Sequence, residues 1–186
     1  MNAPPIPATE GTHEAPIEVV AYDRSWPQKF ETERQLLEAA LAPWLAGPVE
    51  HIGSTAVPCL PAKPVIDIMA PVHTLLASRP AIEAAVSAGY VYYPYRPEVM
   101  HWLCKPSPSC RTHHLHLVPL GSQLWLERLA FRDALRSNPV LAAEYANLKL
   151  SLAERFRLER EAYTEAKAPF VQRVLSELQA SRQNEN

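Results

Sequence analysis

Proline placement constrains this chain more than any other feature. Its 186 residues hold 19 Pro and only 5 Gly, against average usage of about 5% Pro and about 7% Gly. Each Pro removes a backbone donor and fixes φ, so it marks where a helix or a ladder is interrupted. The prolines form no tract, which excludes a polyproline rod. The shortage of Gly excludes a collagen-like repeat and Gly/Ser linkers. Pro4, Pro5, Pro7 and Pro16 fall in the first 16 residues, which lack both a positive start and an apolar core. That segment reads as a disordered tail, not a secretory signal. Pro58, Pro61 and Pro64 crowd one short interval, whereas nothing between Pro139 and Pro169 is proline. Long helices fit there.

Between these marks, hydrophobic periodicity sets the elements. Residues 17–22, IEVVAY, read as a strand from their β-branched content. Asp23 or Ser25 can then cap a helix with Pro27 in its first turn. Trp26, Phe30, Leu37, Leu41 and Trp44 make one apolar helix face, which Gly47-Pro48 ends. Residues 49–52 form a short strand running into Gly53-Ser54, 55–63 a turn region, 64–69 an apolar strand and 73–88 a helix. Residues 90–93, 99–104 and 112–118 are further strands. After Gly121 the residues are Ala, Leu, Glu, Lys and Arg-rich, and three helices are expected at 122–136, 139–157 and 159–179. Ser137 or Asn138 caps the second of them. A tail (1–16), an α/β core (17–120), a helical segment packing on or over its cleft (121–180) and a short tail (181–186) complete the expected organisation.

Composition narrows the function classes. A net charge of −2 with no Lys/Arg run gives no signal for a nucleic-acid partner. No stretch of about 18 apolar residues is present, so no membrane-spanning helix is expected. Cys59, Cys104 and Cys110 are odd in number and share no C-x-x-C spacing. They read as reduced thiols in a cytoplasm, not as a metal or redox set.

Three constellations carry chemistry. In HIGSTAVPCLPAKPVIDI, residues 51–68, a strand delivers Gly53-Ser54 and the next strand presents Asp67. Gly53 permits a tight turn and close backbone approach, and the Ser54 hydroxyl with neighbouring N–H groups suits a phosphate. A carboxylate inside VIDIM is costly unless paired or metal-bound. Alternation places Val65, Asp67 and Met69 on one face, with Ile66 and Ile68 on the other. In RTHHLHLV, residues 111–118, His114 and His116 share a face, roughly 6.5–7 Å apart along the backbone. That spacing lets them converge on one ion or one anion. His113 points the other way. The third set, Arg132, Lys149 and Lys167 on the C-terminal helices, reads as solvated helix charge when taken alone.

Together with YDRSWPQKF, FRDALRSNP, EYANLKLSLA and YTEAKAPFV, these stretches resemble the GrpB family. These are small bacterial proteins of the nucleotidyltransferase superfamily, and a similar domain is fused to the C-terminus of some dephospho-CoA kinases. The resemblance implies an α+β fold, a nucleotidyltransferase-like mixed sheet with flanking helices and a C-terminal helical segment. It implies Gly53 and Ser54 as the first motif and Asp67 as the first of two carboxylates. Position 69, where the second belongs, is Met69, and the strand for a third carries His114 and His116. The resemblance thus makes Asp67, His114 and His116 the catalytic and metal-binding set, with Gly53, Ser54, Thr55, Lys63, Arg111, Lys149 and Lys167 around a phosphate. A divalent ion is the implied cofactor: Mg²⁺ or Mn²⁺ on the superfamily pattern, Zn²⁺, Ni²⁺ or Fe²⁺ on the His pair. A nucleotide or other small molecule is the implied ligand. The implied activity is metal-dependent nucleotidyl or phosphoryl transfer to a small substrate. The alternatives are an inactive nucleotide- or CoA-binding or chaperone-like module, and a metal-dependent hydrolase. Two departures stand out: Cys59 where the family has Gly, and a strand VMHWLC less basic than in relatives.

Overall fold

A computed structural model describes residues 16–184, so the tail expected over 1–16 lies outside the described residues apart from Pro16. Helix α1 (Trp26–Leu41) and a 3₁₀ turn (Ala42–Trp44) lead to β1 (Glu50–Ile52) and a second 3₁₀ turn (Ser54–Ala56). Then come β2 (Ile66–Val72), α2 (Arg79–Ser87), β3 (Val91–Tyr93), β4 (His101–Pro106) and β5 (Arg111–Pro119). Four helices follow: α3 (Gln123–Ser137), α4 (Pro139–Arg155), α5 (Arg160–Ala166) and α6 (Ala168–Asn184). The strands form one sheet in the order β1-β2-β5-β4-β3. Only β2 and β5 run parallel; the other pairs are antiparallel. The fold is α+β, as the sequence implies.

Several boundaries differ from expectation, and proline accounts for most of them. Residues 17–22 form no strand. Val20 alone exchanges both its backbone bonds with Ala62, and the flanking Pro61 and Pro64 offer no donors to extend the ladder. Strand β2 runs on through Pro71 to Val72. The helix expected over 73–88 begins only at Arg79, where Pro80 sits in the first turn and suits a helix start, not an interior. The single helix expected over 159–179 breaks at Lys167, because Pro169 opens α6 and cannot donate back into α5. Helix α6 then continues beyond 180 to Asn184. The caps of the other two helices are resolved: Ser122 accepts from Trp125 N, and Asn138 from Leu141 N.

Alternation divides the sheet into two buried faces. Behind it, Ile66, Ile68, Ala70, Leu103, Leu115 and Leu117 pack against Trp26, Leu37 and Leu41 of α1. In front, Met69, Trp102, Cys104 and Val118 pack against Trp125 and Leu129 of α3. Each such large side chain contributes about 1.5–3 kcal/mol on burial. No helix among the described residues is long and apolar enough to cross a membrane. The three cysteines are free, with Cys104 buried.

Candidate metal and anion site

Two cross-sheet rows assemble the centre on the front face. Ile52, Asp67, His114, Cys104 and Val91 are successive partners in one row. Glu50, Met69, His116, Trp102 and Tyr93 form the next. His114 therefore sits directly across from Asp67 on the neighbouring strand, and His116, two residues on and opposite Met69, shares its face. Asp67 Oδ1 lies 2.8 Å from His114 Nδ1 and 3.9 Å from His116 Nε2. The ligand atoms these three residues offer all lie within 4.8 Å of one another. His116 Nδ1 faces Met100 Sδ at 3.4 Å. The Trp102 ring, 5.1 Å from the His114 ring, fixes the outer side of that imidazole.

Electrostatics follow from burial and these bonds. Burial alone would raise the Asp67 pKa, but the hydrogen bond from His114, and then the nearby His116, hold it well below the usual range. Desolvation takes His116 down to about 4, only partly offset by Asp67. Asp67 is therefore an ionised carboxylate that accepts from His114 Nδ1–H at 2.8 Å. The Nε2 atoms of His114 and His116 are buried and have no hydrogen-bond partner. An unmet buried group of this kind costs about 1–3 kcal/mol, and a cation removes that cost. One oxygen and two imidazoles suit Zn²⁺, Mn²⁺, Ni²⁺ or Fe²⁺ better than Mg²⁺, which demands oxygen ligands. Met69 is fully buried in the apolar cluster under α3, so this position offers no second carboxylate beside the first.

Gly53 is required by this arrangement. Its φ is +71°, and a Cβ there would lie 2.3 Å from Asp67 Oδ2, inside any tolerable contact. The turn that follows is pinned by a relay. His51 Nε2 and Thr55 Oγ1 are 3.0 Å apart, and Thr55 Oγ1 donates to Val65 O at 3.2 Å. Since the hydroxyl has one hydrogen, His51 donates to it. His51 itself is stacked on Phe30 and pushed down to about 4 by desolvation, so it is neutral. Thr55 therefore holds the turn in shape, with its hydroxyl already engaged.

Beside the centre opens a pocket of about 70 Å³ lined by Ser54, Thr55, Lys63, Val65, Asp67, His114, Lys149, Tyr163 and Lys167. The lysines rest on aromatic rings. Lys63 and Lys167 lie 5.2 Å and 4.3 Å from the Tyr163 centroid, and Lys149 lies 4.9 Å from that of Tyr145. Lys149, 2% exposed, also donates to Pro61 O. Desolvation, and then mutual repulsion, brings Lys149 down to about 7. Desolvation with the nearby Lys63 does the same for Lys167. Of the expected site residues, Gly53, His116 and Arg111 fall outside this lining, and Arg111 donates to Pro108 O and stacks over Trp102 at 5.1 Å. Sequence reasoning missed Tyr145, which adjoins the Ser54 hydroxyl and is pushed up to about 12 by burial. It also missed Tyr163, the ring shared by two lysines. A buried tyrosine on an amphipathic helix looks like any other core residue in sequence.

The fold and site define a class: a small α+β protein with a carboxylate–bis-histidine centre and a lysine-lined pocket between sheet and helices. The GrpB protein family matches residues 16–177, and the chain belongs to that family. A UPF0157 protein of Pseudomonas aeruginosa is 37% identical over 94% of this chain and 75% of its own length. The glutamate-rich protein GrpB of Alkalihalophilus pseudofirmus is 32% identical over 90% of this chain and 99% of its own. The crystal structure of the conserved protein GrpB from Enterococcus faecalis superposes with a TM-score of 0.78 at 34% identity, covering 86% of this chain and 96% of that one. A dephospho-CoA kinase of Mycolicibacterium paratuberculosis is 28% identical over 84% of this chain but only 44% of its own length.

Proposed function

We propose that this protein catalyses divalent-metal-dependent transfer of a phosphoryl or nucleotidyl group to a small acceptor. One observation carries the reading: an ionised carboxylate and two imidazoles each offer a ligand atom within 4.8 Å of the others, and each imidazole keeps a buried Nε2 without a partner, at the edge of a pocket lined by three lysines. A cation site and an anion site sharing one wall are what phosphate chemistry needs. Asp67, His114 and His116 hold the ion, which when bound neutralises phosphate charge and acidifies a coordinated hydroxyl. Ser54 and the ammonium groups of Lys63, Lys149 and Lys167 orient the phosphate. Tyr145 keeps the Ser54 hydroxyl in place, and α4 to α6 exclude water from above. Transfer to water in place of an acceptor would make the same site a hydrolase.

The test is metal analysis of the purified protein, followed by Mn²⁺ and Zn²⁺ titration of wild type and Asp67→Ala. About one ion per chain is expected, with affinity at least 100-fold weaker in the variant. Incubation with α-labelled nucleoside triphosphates and small acceptors should then give label transfer that tracks ion occupancy. A wild type that takes up no divalent ion, yet binds phosphate, would replace this reading with that of a non-catalytic anion-binding module.

A further inference from the structure

Tyr93 and Tyr95 are the only aromatic side chains exposed among the described residues, at 52% and 48%. Every other Trp, Tyr and Phe is buried or half-buried. Both exposed rings flank one buried ring: Tyr93 lies 6.2 Å and Tyr95 6.3 Å from Trp102, each edge to face. Trp102 in turn lies 5.1 Å from His114. The rings thus form a continuous path from the candidate centre to the surface. Arg111 stacks over Trp102, so the aromatic surface left for a ligand belongs to the tyrosines. The loop that carries them is held in one shape. Pro94 and Pro97 each fix φ, and Tyr95 N donates to Tyr93 O at 2.8 Å. Val99 N and Met100 N both donate to Arg96 O, at 3.0 Å and 3.2 Å. Arg96 itself sits at φ +50°, and such strain clusters at ligand-binding segments.

Position and area decide the occupant. On its sheet side, the lysine pocket is lined by His114, by Val65 and Asp67, and by the loop residues before them. It therefore extends from His114 toward β2. The aromatic path leaves His114 the other way, across Trp102 on β4 to Tyr93 on β3. In phosphoryl transfer the attacking and leaving oxygens lie in line on opposite sides of phosphorus. An anionic leaving group belongs with the lysines, which leaves the Trp102 side to the acceptor. Two half-exposed tyrosines offer roughly 200 Å², against about 800 Å² per partner in a stable protein interface. That area fits a single small ring, and flat rings stack on tyrosine without a set hydrogen-bond pattern. Resting on the phosphate-transfer reading above, we propose that the acceptor carries a planar aromatic ring, held by Tyr93 and Tyr95 while its hydroxyl faces the lysine pocket. The hydroxyl oxygen bonds to phosphorus of a phosphoanhydride donor, the P–O bond to the leaving phosphate breaks toward the lysines, and the hydroxyl proton passes to water.

The experiment is calorimetric titration of three phosphate esters into metal-free protein at pH 6.5: 4-phenylbutyl, 4-cyclohexylbutyl and n-butyl phosphate. Each mimics a phosphorylated acceptor, with a linker long enough to reach from the lysine pocket past Trp102. Wild type should bind the phenyl ester about tenfold more tightly than the butyl ester, and more tightly than the cyclohexyl ester, whose ring is not flat. Tyr93→Leu and Tyr95→Leu keep apolar bulk and lose the flat ring. Each should weaken the phenyl ester at least fivefold and leave the butyl ester within about twofold. Leu36→Ala, an exposed position on α1 behind the sheet, controls for lost apolar surface and should leave the preference intact. Both tyrosine variants should bind ATP and tripolyphosphate in the wild-type ratio; a loss for ATP alone assigns the tyrosines to the donor's base and overturns the acceptor site. A cyclohexyl ester that binds as well as the phenyl ester, equal affinity for all three, or a phenyl preference that survives both substitutions overturns the ring site and leaves the phosphate reading standing. Failure of wild type to bind any of the esters overturns the phosphate reading together with it.

Discussion

Lys149 shows the cost of building such a pocket. It is almost wholly buried on an α-helix, held only by a backbone carbonyl and the face of Tyr145, with a pKa of about 7. In the unfolded chain it keeps its proton up to the ordinary lysine range near 10.4. Between those values the unfolded state binds more protons, so this residue's contribution to stability rises with pH across that window. Below about pH 7 both states are charged and the folded chain bears the full desolvation cost. Anion binding runs the other way, because it needs the ammonium form and weakens as pH rises above about 7. Lys149→Met should therefore raise the thermal midpoint at pH 6 and at the same time weaken orthophosphate binding. For wild type at pH 8, the binding enthalpy measured in buffers of different ionisation enthalpy should reveal proton uptake. A midpoint that falls in the variant, or binding with no proton exchange, contradicts this account. None of it was legible in EYANLKLSLAE, where a helix lysine looks like one more solvated charge. Asp67 was legible because an apolar strand has no use for a carboxylate, and His114 with His116 because a period of two fixes a shared face. Arg132 and Arg136 of α3 were not, since their targets are backbone carbonyls some 80 positions away in sequence.

At the scale of elements, the loop from Gly53 to Pro64 decides how Ser54 meets Asp67. Proline stiffens it, and the His51–Thr55–Val65 relay ties its two ends together. One residue works against it. Cys59 adopts φ +63°, the left-handed region that costs a residue with a Cβ about 1–2 kcal/mol. This is the position where the family resemblance led us to expect Gly. Cys59→Gly removes that strain, while the extra freedom of glycine in the unfolded chain takes back about 0.5–1 kcal/mol. Cys59 is exposed, so little packing is lost. The net expectation is stabilisation of up to about 1 kcal/mol, a rise of roughly 2–4 °C for a chain of this size, with ion affinity unchanged. A lowered midpoint would mean that the thiol makes contacts worth more than the strain. Elements read from period alone were found with the right type, and the starts marked by Pro27 and Pro139 held, whereas other boundaries failed beside a proline. Pro80 delayed α2, Pro169 split the last helix, and Pro61 with Pro64 kept 17–22 from pairing beyond Val20. Proline excludes a donor at one known position, but which element it then opens or closes depends on the partner strand.

For the whole molecule, the question is whether sheet and helices unfold as one. The third apolar cluster joins Val57 and Leu60 of the site loop to Leu135 of α3, Tyr145 and Ala146 of α4, and Phe170 of α6. The fourth joins Ile17, at the start of the described chain, to Leu152, Ala153 and Tyr163. Helices α4 to α6 thus bury their apolar faces on the loop that shapes the pocket and on the N-terminal segment, not only on one another. Removing them would expose Val57, Leu60 and Ile17, and removing the sheet would leave Tyr145 and Tyr163 without a wall. Neither part holds a core that closes by itself, so a single cooperative transition is expected. Trp26 reports the cluster behind the sheet, and Trp102 and Trp125 report the one in front. Urea denaturation followed by tryptophan fluorescence and by far-ultraviolet circular dichroism, which weights the helices, should give coincident midpoints. Orthophosphate, whose proposed ligands come from both the sheet side (Ser54, Lys63) and the helices (Lys149, Lys167), should shift both curves together, since a ligand that binds only the assembled site stabilises everything that site requires. A helical signal lost before the fluorescence change, or moved by phosphate alone, would show the helical segment to be a separable lid in place of half of one core.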